Sequence, residues 1–430
     1  MRGKVLGIGE SGALVFQEWL RNAAHGVRRE PRTQGETMTH PTRRTVMAGA
    51  AGLAAFKAGG ALAQGASGPV ALNIIDVAGN LQLTQAAIER FAKENPKLVS
   101  RLNFSRAPSP ELPGKLKAQQ QANRVDIDLV LTGPGAMSDG IQQGLWVDVW
   151  KSHAKDLPKA EEVYHEQALM MQRNFGQNEG VAVVYSPSGP LFEYAPDRLK
   201  TVPRTAEELL AYVKQNPNRF TYARPVNSGP GWTWLMGLPY ILGDADPSDP
   251  MKGWDKSWAY LKELGSGIDY YPGGTTPTMK ELGEGTRDVI VSTLGWDINP
   301  RALGIVPKEA KVFVLDKTHW IPDTQFMCIP KGTAAEKMPA LLALMSYMLK
   351  PEAQAYTFDK GYFYPGPAVK GVTLAMAPQE SRDVLKEFGR PEYDKLIESL
   401  PTRPPLTPER LVAAFRRWDQ EIGAGHGAPQ

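Results

Sequence analysis

The 430-residue chain holds one cysteine, Cys328. A single thiol excludes an internal disulfide and any CxxC metal or redox site. Charge of one sign is also lacking. The whole chain has 49 basic and 46 acidic residues; the first 63 residues carry nine and four of these, leaving 40 against 42. No basic field for nucleic acid survives that subtraction. After residue 64 no stretch free of charge and proline approaches the roughly 20 residues of a membrane span. Catalytic signatures are missing too. There is no Gly-x-Ser-x-Gly and no His-Glu-x-x-His, and Cys328 lies in an apolar, strand-like run. His153, His165 and His319 are widely separated. No nucleotide-binding Gly-Lys-Ser/Thr loop appears, and no cofactor is expected. These absences argue against an enzyme, a nucleic-acid binder and a membrane-embedded protein.

What is present begins with an export signal placed inside the chain. Thr42-Arg43-Arg44-Thr45-Val46 sets two arginines before an apolar run, Met47 to Ala61, of roughly 15 residues, followed by Ala61-Leu62-Ala63-Gln64. A charged region, a short apolar core and a small-x-small ending make a removable secretory peptide, and the arginine pair points to the folded-protein (twin-arginine) export machinery. The run is too short for an anchor. Residues 1–37 then read as an upstream extension and 38–63 as the signal peptide. The expected product is a soluble periplasmic protein, a monomer, starting near Gln64.

The rest alternates strands and helices. Val70 to Val77 is a β-rich run; Leu83, Ala87, Ile88 and Phe91 then recur at helical spacing up to Asn95-Pro96. Further strands are expected at 102–104 and 128–131, with a helix over 112–123 between them, and this order means a parallel sheet covered by helices. A second α/β unit is expected after Asn178, with strands at 181–185, 220–223 and 288–294. Thr205 and Glu208 mark a helix start. Residues 316–325 read as a linker to a strand at 326–330, and a long helix follows over 334–349.

Three stretches in this order resemble the extracellular solute-binding proteins of bacterial ABC importers. They are Asp126 to Gly133 with Gln143-Gly144-Leu145-Trp146-Val147-Asp148, Val202-Pro203-Arg204-Thr205-Ala206-Glu207-Glu208-Leu209-Leu210, and Ile329-Pro330-Lys331-Gly332-Thr333 with Leu344 to Gln354. Asn227-Ser228-Gly229-Pro230-Gly231 is similar to the putrescine/spermidine- and thiamine-binding branch. The resemblance implies an α/β, two-lobed periplasmic-binding-protein fold of type II, with a ligand cleft between lobes joined by crossover strands. It implies lobe 1 over 68–175 plus 320–365 and lobe 2 over 176–319 plus 366–430. It also implies a small-molecule solute and ABC permease and ATPase partners. A sensor docking on a membrane receptor is the alternative role. Iron-binding relatives use a tyrosine pair, but Tyr270-Tyr271 precedes the expected position by a long loop, which disfavours a metal.

Ligands of open α/β sheets bind outside the carboxyl ends of strands. That rule selects Asn80, Thr132 and Gly133 in the first unit. In the second it selects Asn227, Ser228, Gly229 and Trp232, then Trp296, Asp297 and Arg301. Tyr362 is a candidate aromatic wall. Ser228-Gly229-Pro230-Gly231 would offer free backbone N–H groups and a positive helix end to an anionic or carbonyl oxygen, or is a plain helix start. Arg301 suits an anion, and Trp296 with Asp297 suits an ammonium, or Asp297 and Arg301 pair with each other. An anionic or strongly accepting solute is the first expectation and a polyamine the second.

Overall fold

The computed structural model describes residues 68–426, so the expected extension over 1–37 and signal peptide over 38–63 lie outside the described residues. The strands are β1 (Val70–Asp76), β2 (Val99–Arg106), β3 (Leu129–Thr132), β4 (Val181–Gly189), β5 (Leu191–Tyr194), β6 (Phe220–Thr221), β7 (Val289–Ser292), β8 (Lys311–Phe313) and β9 (Ile321–Cys328). They form a five-stranded sheet in the order β2-β1-β3-β9-β4 and a four-stranded sheet in the order β6-β7-β5-β8.

Parallel pairing joins β1 to β2 and β3, each link made through a helical crossover. The helix Leu81–Glu94 turns Leu81, Leu83, Ala87, Ile88 and Phe91 inward, the spacing that the sequence predicts. Its entry is fixed by Asp76 at the end of β1. The carboxylate accepts hydrogen bonds from the amides of Ala78, Asn80 and Leu81, each at 3.0 Å. In the second half the helix Ala206–Gln215 starts as expected: Thr205 Oγ1 accepts from the Glu208 amide at 3.2 Å, and the Glu208 carboxylate accepts from the Arg204 amide at 2.7 Å.

The sheets differ from the sequence expectation in three ways. The run at 181–185 does not open the second unit. It belongs to β4, which pairs antiparallel with β9 inside the first sheet. β4 ends the strand order, yet every residue of it is buried, because the chain at Gly366 bridges to Tyr185 and covers its outer side. Residues 316–325 are only partly a linker, because β9 begins at Ile321. Pro322, Asp323, Thr324 and Gln325 interrupt the apolar signal there. The sheets are also mixed, with β9 antiparallel to β3 and β5 antiparallel to β7 and β8. Strands β5 and β8 carry no signal strong enough to mark them.

The chain passes from the first sheet to the second at the cis Gly189–Pro190 peptide bond between β4 and β5, and returns through 314–320 between β8 and β9. The C-terminal helix Pro408–Glu421 packs on both halves. Trp418 meets Tyr222 and Tyr271 near the second sheet, while the same helix lies against the helix Pro134–Gln142 that follows β3. Among the described residues no helix is long and apolar enough to cross a membrane.

Candidate ligand-binding cleft

A cleft of about 580 Å³ lies where the strand ends of the two sheets face each other. The first half contributes Asp76, Gly79, Arg106 and Gly133; the second contributes Asn227, Ser228, Gly229, Trp232, Thr275 and Trp296. Asp323 and Gln325 of β9 and Tyr362 complete it, with Phe415 from the C-terminal helix. The volume falls in the range of small-molecule sites, roughly 300–1,000 Å³.

The aromatic wall has two parts. Trp296 follows the carboxyl end of β7, and its ring stands 4.7 Å from that of Tyr362, centroid to centroid. Gly295 allows this approach. Its φ is +100°, and a Cβ there would stand 2.5 Å from the Gly361 carbonyl oxygen and the Tyr364 nitrogen. Only glycine lets the two loops close together. The second part is Trp232 in the first turn of the helix Gly229–Leu242, 2% exposed and backed by Phe175 at 6.5 Å. Ser228 caps this helix, its Oγ accepting from the Gly231 amide at 3.3 Å and sharing a hydrogen bond with Thr275 Oγ1 at 2.8 Å.

Two acceptors stand on the floor. Asp323 and Gln325, two apart in β9, share one face of the strand. Asp323 is 2% exposed. Its Oδ1 accepts from the Thr324 amide at 2.7 Å and its Oδ2 from Trp232 Nε1 at 3.2 Å. Among the described residues no lysine, arginine or histidine nitrogen lies within salt-bridge distance of it. Burial pushes its carboxyl up to about 7, against the lowering effect of the two N–H donors. Gln325 is 4% exposed, and its Oε1 has no hydrogen-bond partner. The Tyr362 hydroxyl is also raised, first by burial and then by Asp76, Asp359 and Asp323.

The structure brings Gly133, Asn227, Ser228, Gly229, Trp232, Trp296 and Tyr362 to the cleft and leaves the other four candidates off its lining. Asn80 is fully buried and binds Thr84 Oγ1 at 2.8 Å, because the strand-end loop turns its side chain under the helix. Thr132 is buried in β3, its hydroxyl donating to the Gly133 carbonyl at 3.0 Å. Asp297 and Arg301 pair with each other at 3.1 Å behind Trp296. Asp297 also takes contacts from Arg390 and the Tyr393 hydroxyl, and Arg301 donates to the Phe388 carbonyl at 2.6 Å. Strand-end position alone does not give the direction of a side chain. The far partners, Phe388, Arg390 and Tyr393, are invisible in local sequence. Tyr270 and Tyr271 are likewise packing residues: the Tyr271 ring is tilted against that of Tyr222 at 4.8 Å, and Tyr270 donates to Glu281.

Asp323, Gln325 and Phe415 escaped the sequence reading. The only signal available was the short polar run Asp323-Thr324-Gln325 directly before the apolar Phe326-Met327-Cys328. The anionic expectation loses Arg301, which is already paired, and Arg106 is the arginine that remains on the lining. The start of the helix at Gly229 is also occupied on the cleft side, because a Cβ at Gly229 would lie 3.0 Å from Asp323 Oδ2.

Comparison with known proteins decides the family. Residues 86–385 match the family model described as bacterial extracellular solute-binding protein. The chain belongs to this family. Its members are binding proteins that act as the substrate-binding components of ABC transporters. No curated protein matches the chain in sequence. Solved structures share the two-lobed fold at low identity. A periplasmic thiamin binding protein is 14% identical, with a TM-score of 0.59 over 84% of this chain and 97% of its own. The spermidine/putrescine ABC transporter substrate-binding protein of Streptococcus pneumoniae is 14% identical, with a TM-score of 0.54 over 82% of this chain and 99% of its own. The periplasmic binding protein AfuA of Actinobacillus pleuropneumoniae, solved with fructose-6-phosphate, is 17% identical, with a TM-score of 0.57 over 82% and 98%.

Two predictions test these placements. Asp297→Ala leaves the buried Arg301 and Arg390 guanidiniums without their carboxylate and should cost about 3–5 kcal/mol in urea unfolding, with solute affinity unchanged in the remaining folded protein. An unchanged midpoint would mean the network is not structural. Asp323 has a folded pKa above its unfolded one, so its folded form holds a proton that the unfolded chain releases. Stability from this group is therefore full near pH 4 and is lost as pH rises to about 7. Solute-free Asp323→Asn should melt several degrees above the wild type at pH 8, and the gap should close near pH 4. A gap independent of pH would contradict the buried, unpaired carboxyl.

Proposed function

We propose that this solute-binding protein captures a small organic solute in the cleft between its two sheets and presents it to an ABC permease driven by its ATPase. The observation that carries this reading is the shared lining. Groups from both halves, Gly79 and Gly133 on one side and Ser228 and Trp296 on the other, face one space of about 580 Å³. A solute seated there touches both halves at once and favours the arrangement in which they are close, the basis of hinge closure. The two sheets are the cores of the two lobes, and the crossings at 189–190 and 314–320 are the hinge. The aromatic groups suit a solute with an apolar or flat body, and the polar floor sets its orientation.

The protein works as a monomer in the periplasm, reached through the twin-arginine route and followed by cleavage near Gln64. The arginine pair, the short apolar run and Ala61-Leu62-Ala63 support this.

Native mass spectrometry of protein purified from the periplasm should show a retained solute by its added mass. Adding that solute back to stripped protein should lower the radius of gyration in small-angle scattering. Trp296→Ala should weaken its binding by about tenfold or more, 1.4 kcal/mol, without changing the far-ultraviolet spectrum. Equal affinity in the variant would remove the cleft as the binding site. For export, Arg43→Lys with Arg44→Lys should abolish periplasmic accumulation, and undiminished accumulation would exclude the twin-arginine route.

A further inference from the structure

The cleft floor presents hydrogen-bond acceptors with too few donors. Asp323 receives two N–H bonds where an ionised carboxylate has room for about four. Gln325 Oε1 receives none. Both are more than nine-tenths buried, both line the cleft, and both lie on the same face of β9. A buried acceptor without a donor is costly, and a buried carboxylate without a cation is costlier. The aromatic groups around this floor, Trp232, Trp296, Tyr362 and Phe415, present π surfaces suited to a cation.

The charged surroundings point the same way. The end of β1 contributes Asp76, whose carboxylate is held by three backbone amides. The loop after Gly361 contributes Tyr362, kept in its neutral form. From β4, Ser186 stands opposite Asp323. The helix Gly229–Leu242 brings Trp232 and the backbone of Gly229, neither of which titrates. On the outer lining, Arg106 and Glu111 are both exposed. The lining therefore carries three acids, Asp76, Glu111 and Asp323, and one arginine.

We propose that Asp323, with Gln325 beside it, anchors a protonated nitrogen of the solute, and that seating this cation displaces a proton from Asp323 to the solvent. The inference rests on the reading of the cleft as the solute site. In the exchange Asp323 begins as the neutral acid. Its O–H bond breaks, the proton passes to water or buffer, and the carboxylate left behind accepts N–H bonds from the incoming ammonium. No other bond changes. Charge balances, with one cation entering the site and one proton leaving. A neutral acid avoids an uncompensated buried charge in the empty cleft, and the cation supplies compensation when the site is filled. The pH sense follows. Below about 7 a rising share of Asp323 must lose its proton before the cation binds. Affinity then falls about tenfold for each pH unit, and above that region it is level. Amine probes near a lysine in basicity, about pKa 10, remain charged throughout this window.

The test is titration calorimetry with putrescine and spermidine as ammonium probes and fructose-6-phosphate as the anionic one, beside any solute identified by native mass spectrometry. Each is measured from pH 5.5 to 8.5 in two buffers that differ in ionisation enthalpy. At least one cation should bind and release a proton near pH 6. Its affinity should rise about tenfold per pH unit below 7 and level off above. Asp323→Asn should weaken it at least about tenfold at pH 8 and abolish both proton release and pH dependence. Gln325→Ala should weaken it less and keep the pH dependence. An unchanged thermal midpoint of Asp323→Asn at pH 4 shows that the variant folds; if it does not, Gln325→Ala and the wild-type proton release still decide. The proposal is overturned if no cation binds, if binding is independent of pH, or if Asp323→Asn binds as the wild type does. If an anionic or neutral solute binds and is lost with Trp296→Ala, the anchor is wrong and the cleft remains the solute site. If Trp296→Ala changes nothing, both readings fall.

Discussion

The antiparallel pairing of β4 with β9 is the interaction on which the rest of the molecule depends. Both strands are buried along their full length; β4 leads out to the crossing at 189–190, and β9 starts from the return crossing at 314–320. One ladder thus completes the first sheet, carries the chain between halves and lays a strand along the cleft. The backbone hydrogen bonds of that ladder leave the side chains of β9 free to face the space between the sheets. Asp323 and Gln325 are therefore tied to the element that joins the halves, and their positions are set by strand register, not by a loop.

Buried charge is handled in two contrasting ways within this framework. Behind Trp296, Asp297 meets Arg301, Arg390 and the Tyr393 hydroxyl, so each charge has a partner and the group ties the turn after β7 to the C-terminal segment. Arg287 is held in the same manner by Glu281 and Asp269. Asp323 is equally buried and has only N–H donors. A paired network resists change because removal of one partner strands the others. A sparsely paired carboxyl at an open cavity is instead ready to accept something from outside. Asp297 and Asp323 thus differ in whether the protein itself supplies the opposite charge.

The sequence made the elements with regular periodicity legible. The β1 run, the inward face of Leu81–Glu94 and the Thr205 cap needed only neighbours a few residues away. Seven of the candidate contacts reached the cleft because strand ends and the Gly-rich start at 229 are local features. Placement of β4 was not legible, since its apolar run is equally suited to either sheet and its partner lies more than a hundred residues later. For Asp297 and Arg301 the sequence left ligand contact and mutual pairing both open, because Arg390, Tyr393 and Phe388, which decide which way they face, are far along the chain. Asp323 and Gln325 concealed their own strand, because residues that serve a polar cleft interrupt the apolar pattern by which strands are recognised. Phe415 reaches the site only through the packing of a C-terminal helix on both halves.

The proposed function depends on a solute seated between the two sheets. The most direct measurement is a crystal structure of the protein purified from the periplasm with its retained solute. The predicted result is ligand density enclosed by Trp232, Trp296 and Tyr362, with a polar group of the solute on Asp323 and atoms of both halves in contact. Density elsewhere on the molecule, with the cleft filled only by water, would contradict it.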